Sequence, residues 1–417
     1  MSYETSLIAT LALSLIAALL GALVAARLRL PSLVGYLLAG VLIGPFTSRL
    51  VADAHLAQEV AEVGVIQLMF GVGLHFSVRE LLMARSLAIP GAILQMAWAT
   101  CLGAALAFCW GWAPGAGLVF GIALSVASTV VLLLALQTQG ALSPEAVRIA
   151  VAWLIVEDLL MVLVMVLLPA FASALGGQAP GHDSAPQSLH TSSILAIVGQ
   201  TLAKVAAFLA VMLLAGKRVL RWVLKRVEQV DSDELLVTAL GAIALGVAYC
   251  AVQSFGVSFA LGAFVAGLVL NKSDLSEAAA KHLRTLQNAL VVLFFVAIGM
   301  LFDARILFQE PLRVLAVVAV IVVGKPIAAL ILVLVFRRTL STALTIAASV
   351  AQIGEFSFIL APLGISLRLL PSEGLNLIVA GALISIAVNP LIFRLVRTFE
   401  QRTYVPAVEG SVASSQT

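Results

Sequence analysis

Along the chain, apolar runs of about twenty residues alternate with short polar connections, the pattern of helices that cross a hydrocarbon layer. Cutting at charge clusters and Gly/Pro punctuation predicts thirteen spans, at 5–26, 31–48, 56–75, 86–111, 114–138, 145–169, 193–216, 234–252, 255–271, 288–302, 311–336, 340–365 and 372–396. The first stretch lacks a basic leading region and a small-residue cleavage site, so it reads as a helix and not as a signal peptide. The connection near 170–192 (FASALGGQAPGHDSAPQSLHTS from Phe171) is rich in Gly, Pro and Ser and reads as a flexible loop. Segments 217–230 and 273–287 are too polar to cross and read as amphipathic helices on the cytoplasmic surface.

Composition narrows the class. The 417 residues are 62% hydrophobic and 11% charged, against about 25% charged in soluble chains. No globule of this size hides so much apolar surface, which excludes a water-soluble enzyme. The net charge of +3 is small and forms no basic stripe, so nucleic acid is not a partner. Cys101, Cys109 and Cys250 sit in apolar stretches and suggest neither a disulfide framework nor a zinc site. Cytoplasmic loops carry the excess of Lys and Arg. With thirteen spans and the N-terminus outside, outer connections hold only Arg49, Arg305, Arg313 and Arg368 of the 24 basic residues, while Lys204 and Lys325 lie within spans. The multi-pass chain is thus predicted with its C-terminus in the cytoplasm.

Self-similarity adds an architecture. ALSVAS at 123–128 matches AASVAQ at 347–352, each inside an apolar span interrupted by small and polar residues. The flanks match too, 86–111 with 311–336 and 145–169 with 372–396. Because the two interrupted spans run in opposite senses, the halves are inverted copies, the plan of secondary transporters with a site where the breaks meet. There Ser125, Ser128, Thr129, Ser349 and Gln352 offer neutral oxygens to a desolvated cation. The ordinary alternative for such hydroxyls is back-bonding to a carbonyl one turn earlier.

Ionisable residues at bilayer depth are costly and point to function. Glu157 and Asp158 sit mid-span in VAWLIVEDLLMVLVMVLL, Lys325 in LAVVAVIVVGKPIAALILVLVF, and Glu355 follows the second break. Adjacent residues on a helix point about 100° apart, so both carboxylates can border one cavity and titrate as a coupled pair. A carboxylate that holds either a proton or a cation, never both, enforces exchange. The structural alternative is a buried Glu157–Lys325 pair that locks helices, and Glu355 either lines the cation path or caps the half-helix it begins. Lys204 can snorkel, His75 and Glu62 read as interface residues, and Pro326 and Pro390 fit helix kinks.

GYLLAGVLIGP (35–45), LMFGVGLHFSVREL (68–81), STVVLLLAL (128–136), LIVEDLLMVL (154–163), SFALGAFVAGLVLN (258–271), FFVAIGMLFD (294–303) and AQIGEFSFIL (351–360) resemble the cation:proton antiporter-2 family, and within it the Kef-type potassium/proton branch. The resemblance covers about 5–400. It implies an all-α sodium/proton-antiporter-like fold of thirteen transmembrane helices with inverted repeats and two crossed broken helices. Residues 1–400 would form the membrane domain, with a core of 86–169 and 311–396, other helices including a dimerisation domain, and 401–417 a disordered cytoplasmic tail. By position, Asp158 is the ion- and proton-binding carboxylate, the group that would hold K+ or Na+; Thr129 lies beside it at the crossing, and Lys325 is the embedded basic partner. Potassium-efflux relatives carry a Gln-Asp pair where this chain has Glu157–Asp158, which leaves ion choice and stoichiometry open.

The function implied is a secondary transporter, not an enzyme, that exchanges a monovalent cation for protons by elevator-type alternating access. Potassium is favoured over sodium. A ligand-gated channel using the same site and a non-transporting sensor are the alternatives; an ATP-driven pump lacks its GxxxxGK[ST] motif. The implied partners are K+ or Na+, protons, the lipid bilayer of a bacterial inner membrane and a second copy in a homodimer. No cofactor is expected in this chain. The nucleotide-binding regulatory domain of many relatives is absent from these residues, and the lone GVG at 71–73 lies in a span.

Overall fold

Runs of Leu, Ile, Val and Ala become helices here because backbone N–H and C=O groups in hydrocarbon must be satisfied within their own segment. The computed structural model describes residues 3–28, 30–47, 54–75, 87–129, 131–132, 144–178, 191–230, 232–270 and 277–403, and among these no residue is in a strand. The first half comprises α1 (Tyr3–Arg27), α2 (Ser32–Ile43), α3 (Ala54–His75), α4 (Ala88–Cys109), α5 (Pro114–Ser125), α6 (Pro144–Phe171), α7 (Thr191–Val211) and α8 (Lys217–Glu228). The second comprises α9 (Asp233–Phe255), α10 (Phe259–Leu270), α11 (Glu277–Met300), α12 (Ile306–Gln309), α13 (Pro311–Ala319), α14 (Lys325–Val335), α15 (Leu340–Val350), α16 (Glu355–Ser366) and α17 (Ser372–Thr403). Among the described residues, six helices are long and apolar enough to cross a membrane, and the pair Leu340–Val350 and Glu355–Ser366, bent by 42° at its break, makes a seventh.

Local chemistry sets several boundaries. Pro114 and Pro311 open α5 and α13, where a missing N–H costs nothing. Ser232 and Thr339 cap α9 and α15 by accepting from Leu235 N and Thr342 N. Gly256, at φ 64°, ends α9 in the left-handed conformation that glycine adopts without strain. The polar stretch 217–230 forms the amphipathic helix α8. The other predicted surface helix, 273–287, is instead the leading part of α11, which runs unbroken from Glu277 to Met300, because no breaker separates its polar start from its apolar end. Most of the loop predicted at 170–192 falls between Phe171 and Thr191, where 179–190 lie outside the described residues. The last helix extends to Thr403, and the remainder of the predicted tail, 404–417, lies outside them too.

The helices pack as two groups. One contains α1, α2, α3, α9, α10 and α11; the other contains α4, α5, α6, α13, α14, α15, α16 and α17. Between them the contacts are sparse, chiefly α2 with α17 and α6 with α10. In the first group, Gly40 and Gly299 let α2 and α11 touch backbone to backbone: a Cβ on Gly40 would lie 2.0 Å from Val296 O. Small residues permit such approaches, which carry much of helix association in lipid. The second group holds the interrupted segments.

Candidate functional site

The first interruption lies at the end of α5, where Val126 turns extended (φ −86°, ψ 146°) and helix resumes at Thr129. The second lies between α15 and α16, where Gly354 is extended (φ −92°, ψ 166°). The two breaks cross in direct contact. Gly354 N donates to Val126 O at 3.2 Å, and a Cβ at Gly354 would stand 2.6 Å from Ala127 O. Ser128 N donates to Gln352 Oε1 at 3.1 Å, and Gln352 Nε2 returns a bond to Ser128 O at 3.0 Å. Ser128 and Gln352 are the final residues of the two matching hexapeptides. Matching positions of the two hexapeptides thus meet at the crossing, the Gln352 side chain bonding the Ser128 backbone. Ser357 Oγ adds a bond to Ala123 O at 2.6 Å.

Electrostatics at the crossing are matched by sign. A helix end carries about half an elementary charge, negative at its C-terminus and positive at its N-terminus. The C-terminal ends of α5 and α15 converge on Lys325, whose Nζ donates to Val126 O at 3.0 Å and to Gln352 O at 2.9 Å. Lys325 is wholly buried and enters through the π-helical turn Val320–Gly324, followed by Pro326. The π turn and proline together provide the local irregularity predicted as a kink there. At the opposite polarity, Glu157 Oε2 accepts from Ala127 N at 2.8 Å, just before helix resumes. Glu355 begins α16 and is buried. Lys325 and Glu157 act on each other through space, while the lysine's hydrogen bonds go to carbonyls.

Asp158 differs from its neighbour. Glu157 is fully buried and holds backbone, whereas Asp158 remains half-buried. Its Oδ1 is buried with no hydrogen-bond partner, as are Glu157 Oε1 and Glu355 Oε2. Buried polar atoms ordinarily find partners, and each orphan calls for an explanation. Glu157 and Glu355 adjoin the crossing, and Asp158 follows Glu157 on α6. Among the described residues no group of three His, Cys, Asp or Glu is arranged to hold a metal ion.

The other predicted site residues divide by what their hydroxyls do. Ser125 Oγ donates to Ile122 O at 2.8 Å and Ser349 Oγ to Thr345 O at 2.7 Å, the back-bonding arrangement. Ser128 Oγ accepts from Val131 N at 3.2 Å and so caps the resumed helix. Thr129 is half-buried at the start of that helix. Two positions escaped a scan confined to charges and breaks. Gln95 is fully buried in α4, donating from Nε2 to Ser125 O at 3.1 Å and accepting from Trp153 Nε1 at 3.4 Å. Asn389, buried in α17, donates to Ala348 O at 2.9 Å. Each amide satisfies a carbonyl at the C-terminal end of one half-helix. A lone amide inside an apolar span, as in AILQMAW, is the signal that would have found them.

The transmembrane sodium/hydrogen exchanger family matches residues 14–397. The chain belongs to that family. Among exchanger relatives, Escherichia coli YbaL, named provisionally as a cation/proton antiporter, is 50% identical over 416 residues, covering 98% of this chain and 73% of YbaL. K(+) efflux antiporter 4 of Arabidopsis thaliana is 32% identical over 94% of this chain and 64% of its own length. This chain thus spans about two thirds to three quarters of these curated relatives. The solved structure of the sodium proton antiporter MjNhaP1 from Methanocaldococcus jannaschii superposes with a TM-score of 0.68 at 17% identity, over 96% of this chain and 98% of that one. That likeness establishes the sodium/proton-antiporter-like fold of this multi-pass membrane protein.

Proposed function

We propose that this exchanger moves a monovalent cation against protons, with Asp158 carrying each in turn. The observation that carries the proposal is the buried, unpartnered Oδ1 of Asp158 beside two crossed backbone breaks. A residue that retains some exposure and whose Oδ1 makes no hydrogen bond is free to bind and release. Glu157, by contrast, is committed to Ala127 N, and Lys325 to two carbonyls. Protonation and cation binding at Asp158 are mutually exclusive, so each cycle exchanges one for the other. Potassium is preferred over sodium in this proposal, in keeping with the name of the Arabidopsis thaliana relative.

The transport step is an elevator movement. Lys325, Glu157, Ser128 and Gln352 tie both breaks to α6 and α14, so these elements travel together. The sparse contacts with α1–α3 and α9–α11 offer a sliding surface, and those helices would form the homodimer contact. Connections rich in Lys and Arg face the cytoplasm, as in a bacterial inner membrane, with the N-terminus outside.

Reconstituted vesicles holding a quenched pH dye test this. An imposed potassium gradient should dequench the dye, and Asp158→Asn should abolish the response while leaving thermal stability unchanged or raised, since no hydrogen bond of Oδ1 is lost. Cation flux without proton counter-movement would indicate a channel, and full activity of the Asn variant would refute the assignment.

A further inference from the structure

Outside the crossing, α8 carries a cluster of cationic side chains. Its sequence, KRVLRWVLKRVE, places Leu220 and Leu224 against the protein, where they are 8% and 3% exposed. The other face carries Lys217, Arg218, Arg221, Trp222 and Lys225, which line a groove of about 570 Å³ with Leu213 and Leu214. Those two leucines belong to the π-helical turn Met212–Gly216 that joins α7 to α8, and Leu214 is 76% exposed. Trp222 is 60% exposed and stacks beneath Arg226, whose Cζ lies 5.8 Å from the ring centroid. Among the described residues, no acidic side chain forms an ion pair with Lys217, Arg218 or Lys225.

We infer that this groove binds an anionic phospholipid. Chemistry at its two ends selects the occupant. Leu213 and Leu214 continue a membrane helix and offer hydrocarbon contact, while the cationic side chains one to three turns further on sit at headgroup level. An exposed indole between them suits the boundary layer, where Trp is enriched. Clusters of Lys and Arg just beyond a membrane helix attract acidic lipid, each side chain changing binding about fivefold. A neutral lipid would leave the charges uncompensated, and a small soluble anion would leave the leucines and the indole bare. Because α7 and α8 join the two halves of the repeat, the bound lipid would anchor that connection at the membrane surface.

The test compares nanodiscs of equal parts phosphatidylcholine and phosphatidylglycerol with matched acyl chains, using native mass spectrometry to count retained lipid. Wild type should keep phosphatidylglycerol preferentially. K217Q/R218Q/K225Q should lose that preference, about fivefold for each charge removed; Arg221 is kept because it has an interaction of its own within the fold. Trp222→Ala, with every charge retained, should also weaken retention, and it stands in if the triple variant fails to fold. R337Q/R394Q removes exposed charge elsewhere and should change nothing. Equal retention by wild type and triple variant would overturn the proposal, as would equal loss in the R337Q/R394Q control. Displacement of the lipid by inorganic phosphate alone would overturn it in favour of a soluble anion.

Discussion

Gly354→Ala tests whether the two breaks are in true contact. A Cβ there would lie 2.6 Å from Ala127 O, 2.8 Å from Ala127 C and 3.2 Å from Ser128 N, all backbone atoms that no rotamer change can move. Ordinary C···O approaches begin near about 3.3 Å, so the breaks would have to part by roughly 0.7 Å. The Gly354 N–Val126 O bond, 3.2 Å in the wild type, would then exceed hydrogen-bonding distance. The backbone at φ −92° suits alanine, so conformation adds no penalty. Overpacking costs about 1–3 kcal/mol, and one buried bond left unmade costs about another 1–3 kcal/mol. The two sum to about 2–6 kcal/mol, the upper part of which is avoided as the site relaxes. Vesicle dequenching should show at least a tenfold slower exchange, and the melting temperature in detergent should fall. Gly246→Ala, with nothing within 4 Å of its Cβ, serves as the control and should behave as wild type. Gly354→Ser separates contact from capping, because serine is the better N-cap yet carries the same Cβ. Recovery of rate and stability in Gly354→Ser, or wild-type behaviour of Gly354→Ala, would refute the reasoning.

Three further outcomes are expected. Lys325→Met leaves Val126 O and Gln352 O without their donor and Glu157 without a compensating charge, so it should destabilise by about 3–5 kcal/mol; adding Glu157→Gln should recover part of this, and a double-mutant thermal-melt cycle that proves additive would rule out coupling. Gln95→Leu strips Ser125 O and Trp153 Nε1 of a partner and should cost about 1–3 kcal/mol, read as a lower melting temperature with slowed exchange. At the surface, hydrogen bonds from Arg305 hold the Asp303 carboxyl below its ordinary range. A depressed value contributes stability above the unfolded pKa that is lost as pH falls through the folded one, so Asp303→Asn should lower the melting temperature slightly at neutral pH, and its difference from wild type should close as pH falls through the carboxylate range.

Which parts of the site were legible depended on the kind of signal. The broken segments announced themselves as polar and small residues inside apolar runs, and the hexapeptide match identified Ser128 and Gln352 as equivalent without showing that they bond to each other. Lys325 stood out as a charge at membrane depth, but its partners are backbone carbonyls, which carry no mark in the sequence. For the same reason Gln95 and Asn389 gained meaning only when α4 and α17 were packed against the half-helix ends.

Residue chemistry alone determined that this chain lives in a membrane, that its halves are inverted copies and which acidic side chains merit attention, since hydropathy and repetition are properties of the chain read in order. Only tertiary structure decided which of two adjacent carboxylates is tied down and which is left open. Glu157 and Asp158 have the same depth and nearly the same chemistry, and the difference arises because α6 turns one toward Ala127 N and leaves the other's Oδ1 without a donor. That outcome depends on helix rotation fixed by packing, which a linear pattern does not encode.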